Sequence, residues 1–302
     1  MTNLSNKLIL GTVQFGLDYG INNSNGKPGR DKSLEMLDYA WQKGIRTFDT
    51  AYAYGDAEEI LGEFITTHDI GSEIKIITKL KPNIIAESQG EVYDIMAGNL
   101  GESLKRLHLS SVDGYLFHTP SYIRIDELVD SMCRLKDQGL TKNIGVSIYE
   151  EDDAVYAAKL KKFDYIQVPY SIFDQRLNRT DFFEITESNN ITVFARSAFL
   201  QGLFFIPEDK IPSRLEIVKP YFKKLDEIIN KYGMSRQQAA LLFSFKNKHI
   251  DHVVFGVDNI NQLREDIEIA EKNIDCEECI GELKKNFTNI EKNIIFPSLW
   301  KK

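Results

Sequence analysis

The 302-residue chain is 42% hydrophobic and 27% charged, the composition of an ordinary soluble globular protein, and it holds enough apolar material for one barrel or two smaller domains. A formal net charge of −8 repels phosphate backbones and argues against nucleic acid as the main partner, although a small anionic cofactor can still be held locally. The opening MTNLSNKLILGTVQFG has no secretory cleavage pattern, and no stretch approaches the roughly 20 apolar residues that cross a bilayer, so a cytoplasmic protein with no membrane partner is expected.

In chain order, short β-rich runs alternate with longer segments of helical period. Strands are predicted at 8–11, 47–49, 74–79, 114–118, 144–147, 165–168, 192–195 and 253–255. Between them, sets such as Leu34, Leu37 and Trp41, or Leu263, Ile267 and Ala270, recur at helical spacing. Asp56 with Glu59, and Ser235 with Gln238, have capping-box spacing, and Gly44 sits where a helix should stop. Eight βα pairs in this length predict an α/β chain closed into a (β/α)8 TIM barrel; an open doubly wound sheet usually has fewer strands and a Gly-rich first turn, and no G-x-G-x-x-G follows the first run.

Two segments exceed the barrel pattern. Residues 199–232 read as an irregular loop with an extra helix before the seventh barrel helix, and about 275–302 as a C-terminal helix and tail. With no linker, low-complexity tract or internal repeat, residues 1–302 are expected to form a single domain. Cys133, Cys276 and Cys279 are expected to be free thiols. The C-x-x-C of Cys276 and Cys279 lacks a second Cys/His pair, so it reads as thiols on a helix surface and no metal is expected.

In such a barrel the active site lies at the C-terminal ends of the strands, which singles out four polar residues. Asp49 ends the second run in FDTAYAYG, Tyr54 lies just beyond it, Lys79 ends the third in IITKLKP, and His118 ends the fourth in YLFHTP. Singly, each has an ordinary reading as a helix cap, a solvated cation or a structural imidazole. Together they suit carbonyl reduction, in which hydride reaches carbon while the oxygen gains charge and must be protonated. Tyr54 is the natural acid, its pKa lowered by the Lys79 ammonium, with Asp49 holding Lys79 and His118 donating to the substrate oxygen.

The segments FDTAYAYGDAEEILGEF, ITKLKP, LFHTP and NIGVS resemble the aldo-keto reductase family, and the likeness runs from LGTVQFG to VVFGVDNINQLRED. The resemblance implies an NAD(P)H-dependent oxidoreductase acting on a small-molecule carbonyl, without metal or flavin, with Asp49, Tyr54, Lys79 and His118 catalytic and the cofactor extended across the barrel mouth. It implies that Ser147 and Gln167 bind the nicotinamide carboxamide, while the family's following Asn is Ile148 here. Arg196 stands where many relatives stack a Tyr on the nicotinamide, and a guanidinium can stack similarly. Gln167 also fits a barrel-interior hydrogen-bonding residue, and Arg196 a salt-bridge partner.

Ser197 and Gly202 match the segment along the pyrophosphate, and the turn FGVDNINQ should meet the adenosine ribose at a helix N-terminus. Gly256 there permits close backbone approach and equally fits a plain turn glycine. Relatives that select NADPH place a cation in this turn, whereas this chain has Asp258, with Gln262 one turn on, which tilts the expectation to NADH. Capping of the last helix by Asp258 or Asn259 is the competing reading, and Arg264 could supply the missing charge. The loop GLDYGINNSNGKPGR, with Asn22, Asn23 and Arg30, resembles a bacterial subgroup tied to surface-polysaccharide and sugar metabolism, which implies a sugar-like substrate. Two other functions remain open: a lyase using Lys79 as a Schiff base, and a non-catalytic subunit that senses the cofactor.

Overall fold

The computed structural model describes residues 7–272 and 274–300. Eight parallel strands close into a barrel: β1 (Leu8–Gly11), β2 (Thr47–Asp49), β3 (Lys75–Lys79), β4 (Val112–Phe117), β5 (Thr141–Ser147), β6 (Tyr165–Pro169), β7 (Thr192–Arg196) and β8 (His252–Phe255). Each pairs with the next in sequence, and β1 closes on β8 with Ile9 opposite Val254. The predicted runs are all present. The first two match end to end, the ends of the others differ by up to three residues, and His118 stands one residue beyond β4.

Strand alternation sorts the apolar residues into two cores. Ile9, Ile77, Leu116 and Phe194 form the barrel interior, with Tyr165 and Val254 against them. Their chain neighbours Leu8, Leu10, Ile76, Tyr115, Phe117, Val193 and Ala195 belong instead to the larger core between strands and helices. The helix Ala57–His68 shows how a helix supplies the other half of that core, burying Ile60, Leu61, Phe64 and Ile65 on one face.

The signals for helix ends are realised unevenly. Ser235 and Gln238 form the full capping box on the helix Arg236–Phe245, with both reciprocal bonds made. Gly44 ends the helix Arg30–Gln42 at φ +89°, the left-handed conformation that glycine adopts without a Cβ penalty. Asp56 precedes the helix Ala57–His68 but makes no side-chain cap, because its carboxylate is taken by Lys27 at 2.7 and 2.9 Å.

The extra elements are where the sequence places them. Short 3-10 turns lead from β7 to the helix Lys219–Lys231, ahead of Arg236–Phe245, and the chain runs on through Glu277–Asn286 and Lys292–Ile295. Cys276 and Cys279 are buried, not exposed on a helix surface: Cys276 is the N-cap of the helix Glu277–Asn286 and Cys279 lies on its buried side, where burial pushes the thiol up to about 11. All three cysteines are free, and the described residues contain no group of His, Cys, Asp and Glu suited to a metal. No helix among the described residues is long and apolar enough to cross a membrane.

Candidate active site

Strand parity carries the polar residues inward. Ile77 faces the barrel interior, so Lys79, two residues on, points the same way. Leu116 and His118, Tyr165 and Gln167, and Phe194 and Arg196 repeat that spacing at the ends of their strands. These ends open into a pocket of about 640 Å³. Asp49, Tyr54 and His118 line it, as do all eight residues expected to hold the cofactor: Ser147, Gln167, Arg196, Ser197, Gly202, Gly256, Asp258 and Gln262.

Lys79 is fully buried. Its Nζ donates to both Asp49 carboxylate oxygens at 2.7 and 2.8 Å and to the Thr50 carbonyl at 2.8 Å, matching three acceptors to the three protons of an ammonium. Gln167 Nε2 donates to Asp49 Oδ2 at 2.8 Å, and Ser147 Oγ to Gln167 Oε1 at 3.4 Å. Thus Gln167 braces the ion pair from across the barrel. Lys79 Nζ stands 5.3 Å from the centre of the Tyr54 ring, and the His118 ring meets that ring edge-on at 5.8 Å.

The electrostatics differ from the sequence expectation in one respect. Burial pushes the Tyr54 phenol above its ordinary value, Asp49 adds to the rise, and Arg196 opposes it. The expected lowering by Lys79 does not prevail: burial is the largest effect on the phenol, and the Asp49 carboxylate that holds Lys79 acts in the same direction. Lys79 itself is lowered by burial, against which Asp49 works. Burial, then Lys79 and Arg196, lower His118 to about 3, so its imidazole is neutral at physiological pH. Its Nδ1 is buried without a partner.

The pocket rim corrects further details. Arg196 takes part in none of the ion pairs among the described residues: its guanidinium lies 4.6 Å over the Tyr149 ring and donates to the Ile148 carbonyl at 2.8 Å and Ser197 Oγ at 3.2 Å. The Ile148 backbone carbonyl is thus taken up by Arg196. At Gly256 a Cβ would lie 2.6 Å from the Gln14 side-chain amide, so the near neighbour of this glycine is the end of the Gln14 side chain. Gly202, at φ +86°, lies where the loop after β7 meets Asn22, and Ile21 N–H donates to the Gln201 carbonyl at 2.9 Å.

Asn259, not Asp258, caps the helix Ile260–Glu271, accepting from the N–H groups of Asn261 and Gln262 at 3.0 and 3.1 Å. The cap occupies donors that a phosphate would otherwise use. Asp258 donates its own N–H to Gln262 Oε1 at 2.7 Å, and burial raises its carboxyl pKa. Arg264 lies over the Tyr39 ring at 5.3 Å, away from Asp258. Asn22 and Asn23 line the pocket, but Asn23 is spent on its own turn with Tyr19, Asn25 and Gly26, and Arg30 pairs with Glu63 outside the pocket.

Sequence reasoning missed Tyr19, Tyr149 and Gln201 at the pocket, and the tail residues Ile295–Ser298 that close one side of it. Tyr19 and Tyr149 sit in loops that follow strand ends, a positional signal that was there to be used; the tail has no local signal. Burial, then Tyr54, pushes the Tyr19 phenol up to about 12.

Comparison with known proteins agrees with this geometry. Residues 7–283 match the profile of the Aldo/keto reductase family. The chain is 27% identical to the uncharacterized oxidoreductase YqkF of Bacillus subtilis over 261 residues, covering 80% of this chain and 83% of that protein. It is 25% identical to a D-threo-aldose 1-dehydrogenase of Pseudomonas sp., covering 80% and 83%. Among solved structures, the holo form of an aldo-keto reductase from Bacillus halodurans superposes with a TM-score of 0.75 at 20% identity, covering 96% of this chain and 95% of that one. With the family profile matched over nearly the whole length and the closed barrel beneath it, the chain belongs to the aldo-keto reductase family of NAD(P)-dependent oxidoreductases.

Proposed function

We propose that this protein reduces a polar, hydroxylated aldehyde or ketone to the alcohol, with Tyr54 as general acid, Lys79 and Asp49 as its supporting ion pair, and His118 as the donor that orients the substrate oxygen. The observation that carries the reading is the buried Lys79 ammonium, held by Asp49 and Thr50 beside the Tyr54 and His118 rings at the pocket. A neutral Tyr54 carries the proton that the reaction needs, and a neutral His118 can donate without adding charge. When Tyr54 gives up its proton, the phenolate is favoured by Arg196, and the Lys79–Asp49 pair stands beside the ring with Nζ 5.3 Å from its centre. A Schiff base on Lys79 is disfavoured, since a fully buried ammonium with three acceptors offers neither a lone pair nor access.

A nicotinamide cofactor fits the residues present. Gln14 Oε1, His118 Nδ1 and Arg196 Nε are buried polar atoms without partners, all on residues that line the pocket, and such atoms call for a polar ligand. When bound, the cofactor supplies the hydride. Ser147 and Gln167 would hold its carboxamide, Arg196 its ring, Ser197 and Gly202 its diphosphate, and Gly256, Asp258 and Gln262 its adenosine ribose.

For the choice of cofactor, the distal end of the pocket favours NADH. Asp258, Glu265 and Asp266 all line it, and Arg264 is turned to Tyr39. A 2′-phosphate would meet carboxylates instead of a guanidinium. The expected result is a higher kcat/KM with NADH than with NADPH, and a shift of about tenfold or more toward NADPH in Asp258→Arg, as a new charge-assisted contact provides. A preference for NADPH in the wild type, unchanged by the substitution, removes Asp258 from the argument.

For the substrate, Tyr19, Asn22 and Gln201 place polar side chains on the pocket wall. A similar protein named for aldose oxidation lends the hydroxylated class further support. The expected result is a kcat/KM at least about tenfold higher for hydroxylated aldehydes than for alkyl aldehydes of equal length, the scale of one or two hydrogen bonds. The reverse order rules out the sugar-like class.

A further inference from the structure

We infer that Glu58 is a positioning residue, whose buried carboxylate fixes the loop bearing Tyr54 against the strand bearing Lys79. The inference rests on the catalytic roles proposed for those two residues. Glu58 lies in the first turn of the helix Ala57–His68, four residues after Tyr54, and is 0% exposed. On β3, parity turns Lys79 into the barrel and its neighbour Thr78 outward, where Thr78 Oγ1 donates to Glu58 Oε1 at 2.6 Å.

The other carboxylate oxygen is held from a third element. Arg106, in the helix Val92–Leu107, donates to Glu58 Oε2 at 3.3 Å, and its guanidinium lies 4.1 Å over the Tyr52 ring. Tyr52 in turn donates its N–H to the Lys79 carbonyl at 3.3 Å and its hydroxyl to Glu102 at 2.6 Å. The Tyr54 loop, joined to the Lys79 strand at its start through Thr50, is therefore held to it further along through Tyr52 and through Glu58 and Thr78. A buried carboxylate paired with a partly exposed guanidinium gains little stability over an apolar replacement, so its contribution is the fixed geometry. A phenol displaced by a fraction of an ångström loses rate without losing substrate affinity.

Thr78→Val removes the hydroxyl at nearly constant shape, and Thr78→Ser restores it. Loss of the tie is expected to lower kcat roughly tenfold in Thr78→Val with KM and cofactor affinity unchanged, and Thr78→Ser should recover the rate. Because the effect passes through Tyr54, adding Thr78→Val to Tyr54→Phe should cost nothing more. Glu58→Gln, which keeps the shape and weakens the Arg106 contact, is the second variant should Thr78→Val fold poorly, with the same non-additivity expected. Turnover of Thr78→Val within about twofold of wild type, or an equal loss in the wild-type and Tyr54→Phe backgrounds, overturns the inference alone. Near-wild-type turnover by Tyr54→Phe itself overturns the acid assignment and the inference with it.

Discussion

Tyr54→Phe is expected to lower kcat for carbonyl reduction by about 10²–10⁴, the usual worth of a general acid, while cofactor affinity measured by fluorescence titration stays within a few-fold. The substitution removes one hydroxyl at the pocket and leaves the ring contact with His118 in place. The Lys79 ammonium keeps its three acceptors, none of which belongs to Tyr54. A purely structural role would instead show as weaker cofactor binding or reduced stability. The loss should be largest for unactivated ketones, whose oxygen most needs the proton, and smaller for strongly electrophilic aldehydes. Equal turnover by both proteins on an unactivated ketone would mean that the proton comes from elsewhere.

Lys79→Met is expected to cost both activity and stability, and the two losses separate on a second substitution. Removing the ammonium leaves the Asp49 carboxylate, itself buried, with the Gln167 donor at 2.8 Å as its side-chain partner among the described residues. Breaking a buried pair from one side typically destabilises by about 3–5 kcal/mol, because the remaining charge is uncompensated. Adding Asp49→Asn removes that charge, so the double variant should regain most of the stability in denaturant unfolding. It should not regain activity, since the Lys79 ammonium beside the Tyr54 ring is still missing. A double variant as unstable as the single one would show that Lys79 stabilises the barrel by packing and not by neutralising Asp49.

Much of this site was legible in the sequence because its rules are local. Strand period and the position of a polar residue two places beyond an interior apolar one suffice to bring Lys79, His118 and Gln167 to one end of the barrel, and Asp49 joins them as the last residue of its strand. What the sequence did not disclose depends on which neighbour competes for a group. Asp56 has capping-box spacing but is claimed by Lys27, from a loop nearly thirty residues earlier in the chain. Arg30 was expected at the mouth and is claimed by Glu63. Gly256 lines the pocket as expected, but its neighbour Gln14 could not be foreseen from the local sequence.

The electrostatic surprise has the same origin. Pairing Lys79 with Tyr54 on paper predicts a lowered phenol pKa, whereas in the folded chain burial dominates and the Asp49 carboxylate that holds Lys79 acts in the same direction. Glu58 escaped notice because its functional partner is Thr78, an unremarkable strand residue whose outward direction is visible only once the barrel closes. The buried Cys276 and Cys279 likewise depend on where the C-terminal helix docks.

The central claim, hydride transfer to a carbonyl with the proton from Tyr54, is tested most directly with reduced nicotinamide cofactor dideuterated at its reactive ring carbon. Wild-type protein is incubated with a panel of hydroxylated aldehydes and the products are read by mass spectrometry, with Tyr54→Phe in parallel. The account predicts oxidation of the cofactor matched by an alcohol carrying a single deuterium on the former carbonyl carbon, and product formation lower by about 10²–10⁴ in Tyr54→Phe. Consumption of the carbonyls with no deuterium in the product and no cofactor oxidation, or a substrate adduct trapped on Lys79 by borohydride, would contradict it.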